Sequence, residues 1–101
     1  MSEELLKIKA GLKGYNPQKV ILFGSHAWGK PHKNSDIDLL VIKNTRAGFF
    51  ERIPKARSYL LNIESPLDIL VLTPQEVKNK IHSGDLFISE IMDKGRIIYE
   101  K

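Results

Sequence analysis

The sequence predicts an α+β fold, an α/β sandwich in which a small mixed sheet of three to four strands is flanked by helices on at least one face. Three observations predict it. Short apolar runs rich in β-branched residues recur at 19–23, 37–42 and 66–72, and 96–100 is a candidate edge strand. Segments of helical 3.6 period lie before and between them. The chain has 101 residues, of which 42% are hydrophobic and 28% charged. That balance suits one globular domain over 1–101, with a single core.

Taken in order, Leu5, Ile8 and Leu12 recur at helical spacing, and Gly14 before Tyr15, Asn16 and Pro17 supplies a stop. A helix is expected over 3–13. "KVILF" at 19–23 reads as a buried strand, broken by Gly24 and Ser25, with at most one helical turn after Ser25. Residues 37–42 form the second strand. Phe49, Ile53, Ala56 and Leu60 keep the helical period across 46–61, where Pro54 must kink the helix or mark its start. "PLDILVL" at 66–72 is the third strand. Thr73, Pro74 and Glu76 make a capping box with proline at the first helical position, so a helix should run from there to about His82. Ser83, Gly84 and Asp85 restart the chain into a last helix through Ile88, Ile91 and Met92, closed by Gly95.

The formal charge of +4 favours anionic ligands, although lysines scattered over helices also make an ordinary solvated surface. Without cysteine there is neither a disulfide frame nor a thiolate site, and a reducing compartment is expected. The first ten residues lack the basic start and long apolar stretch of a signal peptide. A cytoplasmic protein without membrane contact is the expectation.

Chemistry concentrates in 23–42. In a strand, residues i and i+2 emerge on one face about 7 Å apart, so Asp36 and Asp38 can converge on one point. Leu40 shares that face, while Ile37 and Leu39 point the other way. Two partly desolvated carboxylates resist ionising together unless a cation sits between them. Mg²⁺ suits the place, because it takes oxygen ligands from one or two carboxylates and completes its shell with substrate phosphates. Asp68 joins the cluster if its strand lies beside the second. A third acid fits two metal ions about 4 Å apart around an in-line phosphoryl displacement, where it can also accept the nucleophile's proton. The alternative at these positions is a solvated turn end at Asp36 and solvated strand edges at Asp38 and Asp68. Gly24 lets backbone approach a ligand, and Ser25 can cap a short helix facing an anion such as a triphosphate.

"GSHAWGKPHKNSDID", residues 24–38, resembles the G-S-x10-D-x-D signature of the nucleotidyltransferase superfamily that includes polymerase β and kanamycin nucleotidyltransferase. The short length is similar to that of its minimal nucleotidyltransferase branch. The resemblance implies the nucleotidyltransferase fold, an ATP-type substrate and Mg²⁺, as two ions. It implies Gly24 and Ser25 on the triphosphate, Asp36 and Asp38 on the metals, and Asp68 as the third carboxylate. The minimal branch is similar to antitoxins paired with HEPN-domain toxin ribonucleases, some of which transfer AMP to a tyrosine of the toxin. The expectation is therefore transfer of a nucleoside monophosphate, AMP from ATP, to a hydroxyl of a partner protein, a HEPN toxin. The expectation is a chain without the extra helical domain with which larger relatives hold their acceptor, and so an acceptor on another protein, in a homo- or hetero-oligomer. The alternative is a non-catalytic antitoxin that binds and masks its partner. A nucleic-acid module is a weaker third reading, without a groove-reading or stacking motif.

Other residues receive plainer readings. His26 and His32 lack a third nitrogen or sulfur ligand for a transition metal. Lys30 and Lys33 read as solvated loop lysines, with phosphate contact the alternative. Trp28 reads as core beneath the loop, with stacking on a base the alternative. Arg52, Lys55 and Arg57 read as a solvent-exposed basic helix face.

Overall fold

The computed structural model describes residues 2–29 and 36–101. Lys30, His32 and Lys33, considered above, lie outside them. Elements follow as α1 (Glu3–Tyr15), β1 (Lys19–Phe23), α2 (Ser25–Trp28), β2 (Ile37–Ile42), α3 (Phe49–Arg57), β3 (Leu67–Leu72), α4 (Pro74–His82), α5 (Leu86–Lys94) and β4 (Arg96–Glu100). The sheet runs β3-β2-β1-β4 and is mixed: β1 is antiparallel to β2 and β4, and β2 is parallel to β3. A parallel pair needs a crossover, which α3 supplies.

Alternation along the strands divides the core into two layers. Val20, Leu22, Leu39 and Val41 face α1 and α3, where Ile8, Leu12 and Ala56 close the layer. Ile21, Phe23, Leu40, Ile42 and Leu72 face α4 and α5, packing on Val77, Ile88 and Ile91. Helices thus cover both faces. Asp38, between Ile37 and Leu39, belongs to the α4/α5 side, as the two-residue period requires.

Local signals set most element ends. Ser2 caps α1, accepting from the Leu5 N–H at 3.2 Å. The helix runs two residues beyond the expected end. Gly14 does not stop it, and Asn16 in the left-handed conformation (φ 61°) does. Added side-chain carbons at Gly11 and Gly14 would press on the Tyr59 carbonyl and the Tyr59 ring, so both glycines serve a close approach of α1 to that turn. The Thr73–Glu76 capping box forms as expected. Asp85 caps α5, accepting from the Ile88 N–H at 2.9 Å.

The region 46–61 departs furthest from its expectation. The helix spans only Phe49–Arg57 and holds Pro54 in its interior rather than at its start. After it, the Tyr59 and Leu60 N–H groups donate three residues back, to Ala56 and Arg57, which tightens and ends the helix. Arg52 is not on a solvated basic face. It is 6% exposed. Its guanidinium donates to Glu76 Oε1 at 2.6 Å and, through Nε, to the Ala47 carbonyl at 2.9 Å. Lys55 and Arg57 are exposed.

Arg52 and Arg57 also finish the β3 edge. The Ile37 and Lys43 N–H groups bond to the Pro66 and Leu72 carbonyls, so the carbonyls of 67 and 71 point away from β2. Arg57 donates to the Leu67 carbonyl at 2.6 Å, and Arg52 reaches the Val71 carbonyl at 3.4 Å. Two edge acceptors that another strand would seek are thereby occupied. On the opposite edge, the β1–β4 register shifts between Val20 and Ile21, so β4 carries a bulge.

Glu76 is held below the usual carboxylate range, first by the hydrogen bond from Arg52 and further by that from the Thr73 backbone. A depressed carboxylate contributes stability above its unfolded value, about 4.3 for glutamate, and loses it as pH falls through the folded value. Glu76→Gln should lower the thermal midpoint at pH 7 by an amount equivalent to about 1–3 kcal/mol, since it leaves a buried guanidinium uncompensated. The gap between wild type and variant should close in acid below that range, as followed by circular dichroism.

Candidate functional site

The end of the sheet where β1 stops and β2 begins carries the site. Strand pairing places Phe23 opposite Asp38, and Asp38 in register with Asp68 on the parallel neighbour. Adjacent strands lie about 4.8 Å apart, so these two carboxylates project side by side on one face. Asp68 therefore does join Asp38. Asp36 stands one residue before β2, exposed, and adds its negative charge to the field at Asp38.

A cavity of about 580 Å³ opens over the pair, lined by Asp38, Asp68, Gly24, Leu70 and aromatic side chains from β1, α2, α3 and α5. Small-ligand sites run from about 300 to 1,000 Å³, so this one has the right size. Ser25 begins α2 beside it, half-buried, and stands with Asp36 outside the lining. Phe23 is buried. Trp28 and Phe87 are not; they are 46% and 54% exposed. Trp28 is thus a wall of the cavity and not the core residue its position suggested.

Gly24 is required twice over. Its φ of +73° with ψ −157° is a conformation essentially reserved for glycine, and a Cβ there would land on Asp38 Oδ2. The backbone consequently meets the carboxylate at van der Waals range, with nothing between them.

Burial pushes the Asp38 carboxyl up from its ordinary value, and the charges of Asp68 and then Asp36 push it further; His26 acts the other way. Oxygen ligands that repel one another, open to a cavity, are the donor set of a hard divalent cation. Among the described residues no three acidic or histidine side chains gather closely enough to enclose a metal alone. The pair fits Mg²⁺ in the mode where substrate phosphates and water complete the shell.

The sequence profile described as polymerase beta, nucleotidyltransferase matches residues 6–101. The chain belongs to the polymerase beta nucleotidyltransferase family. Among solved structures, this nucleotidyltransferase is similar to a chain from the crystal structure of a toxin-antitoxin with AMP-PNP, at 24% identity and a TM-score of 0.63, over 99% of this chain and 75% of that one. It is also similar to a chain of the toxin-antitoxin MntA-HepT, at 19% identity and a TM-score of 0.59, over 97% of this chain and 71% of that one. At such identities the likeness establishes the fold. No curated protein sequence gives a significant match. Among the described residues, no helix of this nucleotidyltransferase is long and apolar enough to cross a membrane.

Two measurements probe the site directly. A raised carboxyl favours the protonated folded state, so its penalty is absent in acid and enters as pH rises through the folded value. In chelator-treated buffer, Asp38→Asn should therefore raise the thermal midpoint at pH 7, with the gain fading below about pH 4. Gly24→Ala should cost about 1–3 kcal/mol in backbone strain. It should also displace the Asp38 carboxylate, so that Mg²⁺ with ATP no longer raises the melting temperature of the folded variant.

Proposed function

We propose that this nucleotidyltransferase moves a nucleoside monophosphate, AMP from ATP, onto a hydroxyl of a partner protein, a HEPN-domain toxin, and thereby acts as its antitoxin. The carrying observation is the in-register pair Asp38 and Asp68 under an open cavity, with Gly24 against Asp38. The solved neighbours support the partner class, being chains of toxin-antitoxin complexes, one of them with AMP-PNP. The exposed apolar side chains beside the cavity lining support a macromolecular acceptor. Phe50 and Leu86, next in the chain to the lining residues Phe49 and Phe87, are each 83% exposed, a feature of protein contact surfaces.

In this reading Asp36, Asp38 and Asp68 hold the magnesium, as two ions. Bound there, magnesium neutralises phosphate charge and polarises the α-phosphorus. Gly24 presents backbone without a side chain, leaving room for the triphosphate, and the Ser25 hydroxyl and N–H donate to its oxygens. Asp68 accepts the proton of the acceptor hydroxyl. The hydroxyl oxygen bonds to the α-phosphorus, the bond from that phosphorus to the bridging oxygen breaks, and pyrophosphate leaves. Positioning and charge do the rest, since phosphoryl transfer asks little covalent chemistry of the protein.

The exposed rim equally favours masking of the partner without transfer, and one variant separates the two. Incubation of the chain with a copurified HEPN partner, ATP and Mg²⁺ should add the mass of AMP to the partner, read by intact mass spectrometry. The double change Asp36→Ala, Asp38→Ala should abolish that gain and the relief of toxicity together. Relief that survives the double change would establish masking instead.

A further inference from the structure

We propose that Trp28 and Phe87, braced by Phe23, form a stacking wall for the base of the nucleoside triphosphate, so that the site reads the ring face and not the hydrogen-bonding edge. The inference rests on the nucleotidyltransferase reading above and specifies the substrate class within it.

The wall is built from three rings. Phe23 is 8% exposed and fixed by the sheet. The Trp28 ring lies 6.5 Å from it, centroid to centroid, at 33°, and the Phe87 ring 5.7 Å away at 82°. Core aromatics bury both faces. Here Trp28 and Phe87 both line the cavity and are each about half exposed, a standing cost in water that a planar ligand lowers. Gly24 and Trp28 lie four residues apart across one helical turn, so one short segment borders both the carboxylate end of the cavity and its aromatic end.

The rest of the lining decides selectivity. Among the described lining residues, Asp38 and Asp68 are the only charged side chains, both committed to the cation and phosphate end, and the Trp28 indole N–H is the only other polar side-chain group. Among the described lining residues there is no amide, hydroxyl or guanidinium side chain to pair with a base edge. Base identity is enforced when buried partners of the edge go unpaired with the wrong ligand. Stacking on an aromatic face is worth about 1–3 kcal/mol per base and tolerates any base, because every base has a π-face. Purines, with the larger face, should therefore bind alike and ahead of pyrimidines.

Trp28 is the only tryptophan of the chain, so its fluorescence reports the wall directly. Titration of the full chain in Mg²⁺ should show ATP and GTP quenching Trp28 with Kd values within roughly fivefold of each other, and CTP and UTP binding more weakly. Inorganic tripolyphosphate should bind by calorimetry without quenching. Trp28→Ala should weaken ATP by roughly 5- to 100-fold in calorimetry and leave tripolyphosphate unchanged, while Trp28→Phe restores most of the loss. A preference for ATP over GTP beyond roughly a hundredfold, or unaltered ATP affinity in Trp28→Ala, would overturn the stacking wall alone. Failure of ATP and tripolyphosphate alike to bind would overturn the nucleotidyltransferase reading and the wall with it.

Discussion

The repulsion between Asp38 and Asp68 is the constraint around which the rest of the molecule is arranged. Parallel pairing of β2 with β3 puts the two carboxylates at matching positions on neighbouring strands, where burial, Asp68 and then Asp36 oppose ionisation of Asp38. A fold selected only for stability would place apolar residues there, as it does one step further along at Leu40 and Leu70. The strands tolerate the acids because they sit at the strand ends, while Leu39, Val41, Ile69 and Val71 on the opposite face hold the register from below. A one-residue slip would send those four to the other side of the sheet, so the apolar alternation that fixes the core also fixes the distance between the acids.

That register depends in turn on β3 remaining an edge strand with its outer side closed. Arg52 does this from a buried position. Its guanidinium spans the Ala47 carbonyl, the Val71 carbonyl and Glu76, and Glu76 is also the reciprocal partner in the capping box that starts α4. One side chain therefore joins the crossover helix, the edge strand and the helix that follows it. Removing the glutamate leaves a charge without a partner in a poorly solvated place, which is why the pair matters more than a surface ion pair such as Lys94 with Glu90.

What could be read in the sequence divides along the same line between local and distant causes. The strands at 19–23 and 37–42 and the helix start at Thr73 were legible because period and capping act within a few residues. The helix expected over 46–61 was overdrawn, since Leu60 keeps the period and is buried, yet reaches the core from the turn after α3. Arg52 looked like one of three surface cations because its partner lies 24 residues away, and only the packing of α3 beside β3 reveals it. Asp68 was legible as an acid in an apolar run, but its meeting with Asp38 required the strand order. Trp28 was misassigned for a related reason: a large apolar residue after a strand suggests core, and nothing local says that the space over it is left open as a cavity.

Open space, like-charged acids and half-exposed rings are each unfavourable by the rules that the other elements obey. Natural sequences keep such conflicts rare, and where several coincide they mark a place shaped by a ligand and not by folding alone. The three unfavourable features here are complementary in kind. Acids call for cations, cations call for phosphates, and bare ring faces call for a planar apolar surface. A nucleoside triphosphate with its metal carries all of these in one molecule, in the order in which Asp68, Asp38, Gly24 and Trp28 present their counterparts around the cavity. A plain apolar peptide would satisfy the rings yet leave the carboxylates opposed, so the combination discriminates between ligand classes where no single residue does.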